Sequence, residues 1–395
     1  MTKEGKNMLF IPSEIQFIID RLQNNGFEAY LVGGCVRDML MGIPPHDYDI
    51  TTSAPPDITL SLFPKTVPTG IKHGTVTVLN KSFAAEVTTY RADGEYGDHR
   101  RPESVTFVKS LKEDLARRDF TVNAIAYNEN EGIKDYFGGR EDINNKILRA
   151  VGNPEKRFTE DALRILRLFR FASVLGFTPE KETLNAALKC APLLESISAE
   201  RISSELRKAV NGKNPTALKP LTDIGGLKFI GIKNPDYSKI IPLQSAGLAL
   251  FGLLYSSSDN LMSALMFLKP SNKEKKLYEN ILNLLSLTFP QSKTEIKEML
   301  FKTDPDSVKK YLYFKKHYFG TDVDNALNML SEILENGEPY KISDLKIGGN
   351  NLKNMGVSGE KIGETLEYLR QCVTLDPTLN CRSILLQKSQ EFNRN

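Results

Sequence analysis

Two aspartates with one residue between them, Asp47 and Asp49 in PPHDYDITT, follow closely on the glycine pair Gly33-Gly34 of AYLVGGCVRDML. If HDYDI is a strand, both carboxylates point to one face, because side chains alternate with period two. Two carboxylates on one face repel each other unless a cation lies between them. Hard oxygen ligands, with coordination positions left over for a substrate's phosphates, favour Mg²⁺ and phosphoryl transfer. A polar turn entering a solvated strand would give the same triplet, so the aspartates need support from elsewhere. Gly33 and Gly34 supply it: they end a strand and open a helix, so bare backbone N–H groups can face an anion. Arg37, about one turn further on, can add a charge-assisted contact to the same phosphates. No GxxxxGK[ST] pattern occurs, which excludes a Walker-type loop.

Further chemistry-bearing residues lie downstream. Glu86, in FAAEVTTYR, reads either as a third carboxylate beside the pair or as half of a structural salt bridge with Arg91 or a neighbour. In EDALRILRLFRF, helical spacing makes Asp161 and Arg164 neighbours at i,i+3, and Arg167 and Arg170 continue around an adjoining arc. Ile165, Leu166, Phe169 and Ala172 lie largely opposite. One reading is an intrahelical ion pair on a solvated face. The other is base recognition: the carboxylate accepts from an exocyclic amino group while the guanidinium donates to a ring nitrogen. Cytosine and adenine both offer that pattern, and uracil and guanine offer the reverse.

These residues need elements to hold them. A chain of 395 residues is too long for one compact core, so two to four domains are expected. With 26% charged and 40% hydrophobic residues and no apolar run near membrane-spanning length, the composition is that of a soluble protein with no membrane partner. The opening MTKEGKNMLFIPSEIQ is too polar for a signal peptide, which makes the cytoplasm the expected compartment. Cys35, Cys190, Cys372 and Cys381 are scattered, without zinc-ligand spacing, and read as free thiols. A net charge of +3 favours no particular partner.

Up to about residue 150 helix and strand signals mix: a periodic helix over 13–25, then strands at AYLV, TVTVLN (75–80) and FAAEVTTY (83–90). From about 154 onwards apolar-periodic helices dominate.

LVGGCVRDMLMGIPPHDYDITT, followed in order by RRDFTVNAIAYN, DYFGGREDI and EDALRILRLFRF, resembles the signature of the tRNA nucleotidyltransferase/poly(A) polymerase family. IGGNNLKNMGVSGEKIGETLEYL resembles the tail of its bacterial CCA-adding group. The resemblance implies an α+β fold: a nucleotidyltransferase head with a mixed or antiparallel sheet and helices (1–150), then an all-α neck that reads the base (151–215), body (216–310) and tRNA-binding tail (311–395).

It further implies template-independent addition of CCA to tRNA from CTP and ATP, with Mg²⁺ held by Asp47 and Asp49. Alternatives are an A-adding enzyme, a poly(A) polymerase and, outside catalysis, a plain RNA-binding protein. By residue-wise matching, Asp161, Arg164, Arg167 and Arg170 contact the nucleotide. Arg118 contacts its phosphate or ribose, and Asn123 helps to position it. Asp119 has either a direct role or that of a helix cap for TVNAIAY. The charged stretch RADGEYGDHRRPESVTFVKSLKEDLA resembles a loop found in family members that add the terminal A. Lys341, Lys346, Lys353 and Lys361, with the basic-aromatic VKKYLYFKKHYF, are candidates to follow an RNA backbone. Oligomeric state is left open.

Overall fold

The structure is a computed structural model that describes residues 9–80, 83–93, 105–241, 243 and 245–394. The chain forms two compact units, Met1–Tyr237 with Leu253–Lys269, and Ser238–Gly252 with Pro270–Asn395. As expected, the fold is α+β, with the sheet confined to the N-terminal part and helices making up the rest.

The sheet of the first unit has seven strands: β1 (Ala29–Val32), β2 (Tyr48–Thr52), β3 (Thr66–Gly70), β4 (Thr75–Asn80), β5 (Phe83–Thr89), β6 (Ile125–Asn128) and β7 (Gly132–Asp135). Their order is β3-β4-β5-β2-β1-β6-β7, antiparallel throughout except for the parallel pair β2–β5. Strict alternation in β4 and β5 gives the sheet two characters. Val76, Val78, Ala85, Val87 and Ile50 are buried on one face, where helix α1 (Ser13–Asn24) brings Ile15, Ile18, Ile19 and Leu22 against β1, β2 and β5. Thr77, Glu86, Thr88 and Asp49 share the other face, because Asp49 pairs with Glu86 and Thr77 pairs with Glu86.

That second face is covered only in part. Tyr30 and Val32 of β1 pack with Leu111 and Leu115 of helix α3 (Leu111–Ala116), which follows helix α2 (Gly34–Leu40) in this numbering. Residues 94–104, the middle of the charged stretch linked above to A-addition, lie outside the described residues. Its flanks pair as an antiparallel ribbon, Arg91–Asp93 with Val105–Phe107.

Three local expectations are corrected. Strand β2 begins at Tyr48, so Asp47 sits in the bend leading into it. TVN forms a single 3₁₀ turn that passes directly into strand β6, so Asp119 caps no helix. EDALRILRLFRF is not one helix: α4 (Pro154–Glu160) ends at Asp161, which is extended at φ −137° and ψ 101°, and α5 starts afresh over Leu163–Leu175. The Asp161 carboxylate takes the Leu163 N–H at 3.1 Å, a short-range bond that competes with helix continuation. Helix α6 (Ala199–Val210) packs against α5.

In the second unit, helices Asn272–Leu285 and Lys293–Lys302 both start with a Ser–Glu capping box. Phe251, Tyr278, Phe314 and Tyr318 stack into its core. Tyr311, Phe314 and Tyr318 of VKKYLYFKKHYF are therefore buried, and Lys309, Lys316 and Phe319 are exposed. A separate cluster, including Leu345, Ile347, Leu352, Leu369 and Leu385, holds the last segment together. Lys341, Lys346, Lys353 and Lys361 are all exposed on it. All four cysteines are free, and among the described residues no helix is long and apolar enough to cross a membrane.

Candidate active site

On the polar face of the sheet, Asp49, Glu86, Thr75, Thr88, Arg91, Arg117 and Arg118 line a cavity of about 210 Å³. Parallel pairing of β2 with β5 puts the two carboxylates side by side on neighbouring strands. Arg117 and Arg118 come from the end of α3, whose Leu111 and Leu115 anchor it over β1, and Arg91 comes from the ribbon that follows β5. Asp114, fully buried on α3, ties these parts together. Its Oδ2 accepts from Thr51 Oγ1 at 3.0 Å and lies 3.6 Å from Arg118 Nη2, and its Oδ1 accepts from Arg117 Nη2 at 2.9 Å and the Arg91 N–H at 3.3 Å. Burial alone would push the Asp114 carboxyl up, but Arg117 and Arg118 beside it hold it below the usual carboxylate range.

Asp49 goes the other way. The surrounding protein raises its pKa, Arg118 opposes that, and the neighbouring Glu86 and Asp47 raise it further. Mutual repulsion of this kind is what a divalent cation relieves. Asp47 and Asp49 are both exposed, offer hard oxygen donors and leave coordination positions for phosphate oxygens, so they fit a Mg²⁺ ion. Among the described residues no group of three His, Cys, Asp or Glu side chains is placed to hold a metal.

Gly33 closes the site from the backbone side. Its φ of +79° belongs to glycine, and a Cβ there would stand 3.1 Å from Arg118 Nη1 and 3.8 Å from Asp49 Oδ2. Gly34, the first residue of α2, would bring a Cβ to 3.6 Å from Arg37 Nη2. Arg118 itself is enclosed. Burial lowers its pKa against the pull of Asp114 and Asp49, and its Nε makes no hydrogen bond.

Arg37, Asn123, Asp119 and Arg167 form a hydrogen-bonded chain. Arg37 donates to Asp38 through Nε (2.9 Å) and Nη2 (2.7 Å), and to Asn123 Oδ1 through Nη1 (2.7 Å). Asn123 Nδ2 donates to Asp119 Oδ1 at 3.0 Å, and Asp119 Oδ2 takes Arg167 Nε at 2.8 Å and Nη2 at 2.5 Å. The guanidiniums of Arg37, Arg167 and Arg170 all lie near the ring of Phe171, at 5.2, 5.4 and 3.7 Å from its centroid. Three cations in one place, each with a carboxylate partner, make a strongly charged but neutralised joint between α2 and α5.

Asp161 and Arg164 are not each other's partners, contrary to the helical spacing. Arg164 is buried and donates to Glu160 Oε2 (2.9 Å) and to the carbonyls of Arg157 (3.1 Å) and Arg117 (3.0 Å). Arg157 reaches Glu160 and the Ala116 carbonyl in the same way. These two arginines thus bind the C-terminal carbonyls of α3 and fix the turn that carries Arg118. Asp161 pairs instead with Arg201 of α6, and Arg170 pairs with Glu205 of the same helix. Sequence reading missed Asp114, Glu160, Arg201 and Glu205. The i,i+3 spacing in EDLAR and the i,i+4 spacing in ERISSE were the signals available.

Residues 29–149 match the family described as Poly A polymerase head domain, and residues 176–230 that described as Probable RNA and SrmB-binding site of polymerase A. The CCA-adding enzyme of Geobacillus stearothermophilus is 53% identical over 210 residues, 53% of this chain and 52% of that one, so the match spans about half the length of each. That of Staphylococcus saprophyticus is 36% identical over 375 residues, 92% of this chain and 94% of its own. Among solved structures, the Bacillus stearothermophilus CCA-adding enzyme in complex with CTP superimposes with a TM-score of 0.81 at 33% identity, covering 98% of both chains. Likeness that extends through head and helical parts alike, at these identities, places the chain in one family: it belongs to the CCA-adding enzymes, the tRNA nucleotidyltransferases.

Proposed function

We propose that this chain adds C, C and A in turn to the 3′ end of tRNA, using CTP and ATP, releasing pyrophosphate and needing no nucleic-acid template. The observation that carries the reading is the cavity in which Asp49, Glu86 and Arg118 meet beside Gly33. It puts carboxylates, a cation and bare backbone within reach of one triphosphate. Relatives known as CCA-adding enzymes, matched over more than nine-tenths of the chain, support the same activity.

Asp47 and Asp49 hold the Mg²⁺, which when bound supplies Lewis acidity to the primer hydroxyl and to the triphosphate. Arg118, fixed by Asp114, neutralises phosphate charge, and Gly33 lets the backbone approach without a side chain in the way. Glu86, the strand neighbour of Asp49, serves as a third carboxylate beside the pair. Asp161 accepts the exocyclic amino group of cytosine or adenine, and Arg164, two of whose five guanidinium N–H groups are not taken up by Glu160, Arg157 or Arg117, donates to a ring nitrogen. Arg37, Arg167 and Arg170, with Asn123, hold the nucleotide between head and neck. The helical remainder of the chain binds the folded RNA.

Asp47→Ala and Asp49→Ala should each abolish nucleotide transfer while tRNA affinity, read by filter binding, stays near that of the parent. Substantial turnover by either variant in Mg²⁺ would overturn the assignment.

A further inference from the structure

The partner of Asp161 has a consequence for base selection. Among the described residues its two oxygens are each bonded once: Oδ1 by the Leu163 N–H at 3.1 Å and Oδ2 by Arg201 Nη2 at 2.9 Å. A carboxylate has about four lone-pair sites, so each oxygen keeps one for an incoming donor, and donors from two separate elements fix the plane in which those sites lie. Glu160, the neighbouring acid, is occupied by Arg157 and Arg164.

Arg201 stands near the start of α6, and Glu205, one turn on and on the same face, forms an ion pair with Arg170 at 2.5 Å. One face of α6 therefore offers a cation to Asp161 and an anion to Arg170, both residues that the proposed function assigns to the nucleotide. The side chains of Asp161 and Arg201 are 17% and 27% exposed, which leaves the pair at the solvent edge where a ligand can reach it.

We propose that Arg201 is a positioning residue that sets the base selectivity of the site, by holding the Asp161 carboxylate in the plane where it accepts an amino group. The inference rests on Asp161 reading the base. An acceptor held in place meets the carbonyl oxygen of uracil or guanine lone pair to lone pair and rejects it. A carboxylate free to turn about its side-chain torsions avoids that clash, and selectivity falls.

The test uses the full chain with tRNA substrates ending before the first C and before the A. It measures kcat/KM for each of the four nucleoside triphosphates, and thermal unfolding, for Arg201→Ala, Arg201→Lys, Asp161→Ala and the double alanine variant. Arg201→Ala is expected to narrow the preference for C and A over U and G by about tenfold or more, the scale of one charged hydrogen bond. Arg201→Lys, which retains a charged donor, should recover a good part of that preference. The double variant should be no less selective than Asp161→Ala, because Arg201 acts through it.

Parent-like preference in Arg201→Ala, alongside lost preference in Asp161→Ala, would overturn the role of Arg201 alone. Parent-like preference in Asp161→Ala would remove the base-reading role of Asp161, and the role of Arg201 with it. Should Arg201→Ala fail to fold, Arg201→Gln, with a neutral donor on a side chain of similar reach, carries the same comparison. Narrowed preference there supports the proposal and parent-like preference overturns it.

Discussion

At Asp119 a single carboxylate is bonded by the Phe120 N–H, by Asn123 and by Arg167. Burial alone would push its pKa up, yet Arg167 and these hydrogen bonds hold it well below the usual carboxylate range. A depressed folded-state pKa contributes stability that is complete above the ordinary aspartate value of about 4 and is lost as pH falls below it. Asp119→Asn should therefore destabilise the protein by about 2–3 kcal/mol at pH 7, and by clearly less at pH 3, in urea unfolding at the two pH values. Equal destabilisation at both would contradict the charge-based account. Residue-level reading by period two held for Asp49 and not for Asp47, which precedes the strand, and Glu86, left open between a third carboxylate and a salt-bridge partner, is the strand neighbour of Asp49. Sequence reading failed for the partners of Asp161 and Asp119, because Arg201 and Arg167 come from other elements and no local spacing encodes those encounters. Arg118 was legible only through the family resemblance.

Among the elements, the turn from β1 into α2 places the backbone beside Arg118 and Asp49 of the polar cavity. Gly33→Ala combines the strain of a positive φ, about 1–2 kcal/mol, with a Cβ 3.1 Å from Arg118 Nη1. It should raise KM for CTP and ATP more than it lowers kcat. Gly26→Ala is the control, since φ there is +84° and a Cβ would meet nothing within 4 Å. It should show similar loss of thermal stability with parent-like kinetics, and identical kinetic defects in the two variants would argue against a site-specific role for Gly33. Strands at AYLV, TVTVLN and FAAEVTT could be read from β-branched composition and alternation, and α1 from its apolar period. The break at Asp161 could not, because EDALRILRLFRF keeps helical periodicity on both sides of it. Only the Asp161 bond to the Leu163 N–H and the reach of Arg201 reveal why the chain opens there. TVNAIAY misled in a similar way, since its short apolar run suits a buried strand as well as a helix.

For the whole molecule, every residue assigned to the nucleotide lies in the unit formed by Met1–Tyr237 with Leu253–Lys269. On the proposed division of labour, ending the chain before Tyr340 removes the segment gathered around Leu352 and Leu369 and, with it, Lys341, Lys346, Lys353 and Lys361. That truncation should weaken tRNA binding by about tenfold or more, a loss of at least ~1.4 kcal/mol, and leave CTP affinity nearly unchanged. Parallel loss of both affinities in a folded product would count against it. The account as a whole stands on the sequence of nucleotides that the chain adds. The direct measurement is to incubate it in Mg²⁺ with tRNA ending at the residue before CCA, supplying CTP, ATP, both, or UTP with GTP, and to sequence the 3′ ends. The account predicts two added C residues with CTP alone, CCA and then arrest with both, and essentially no product with UTP and GTP. A long A tract, or addition of A only to tRNA that already ends in CC, would contradict it.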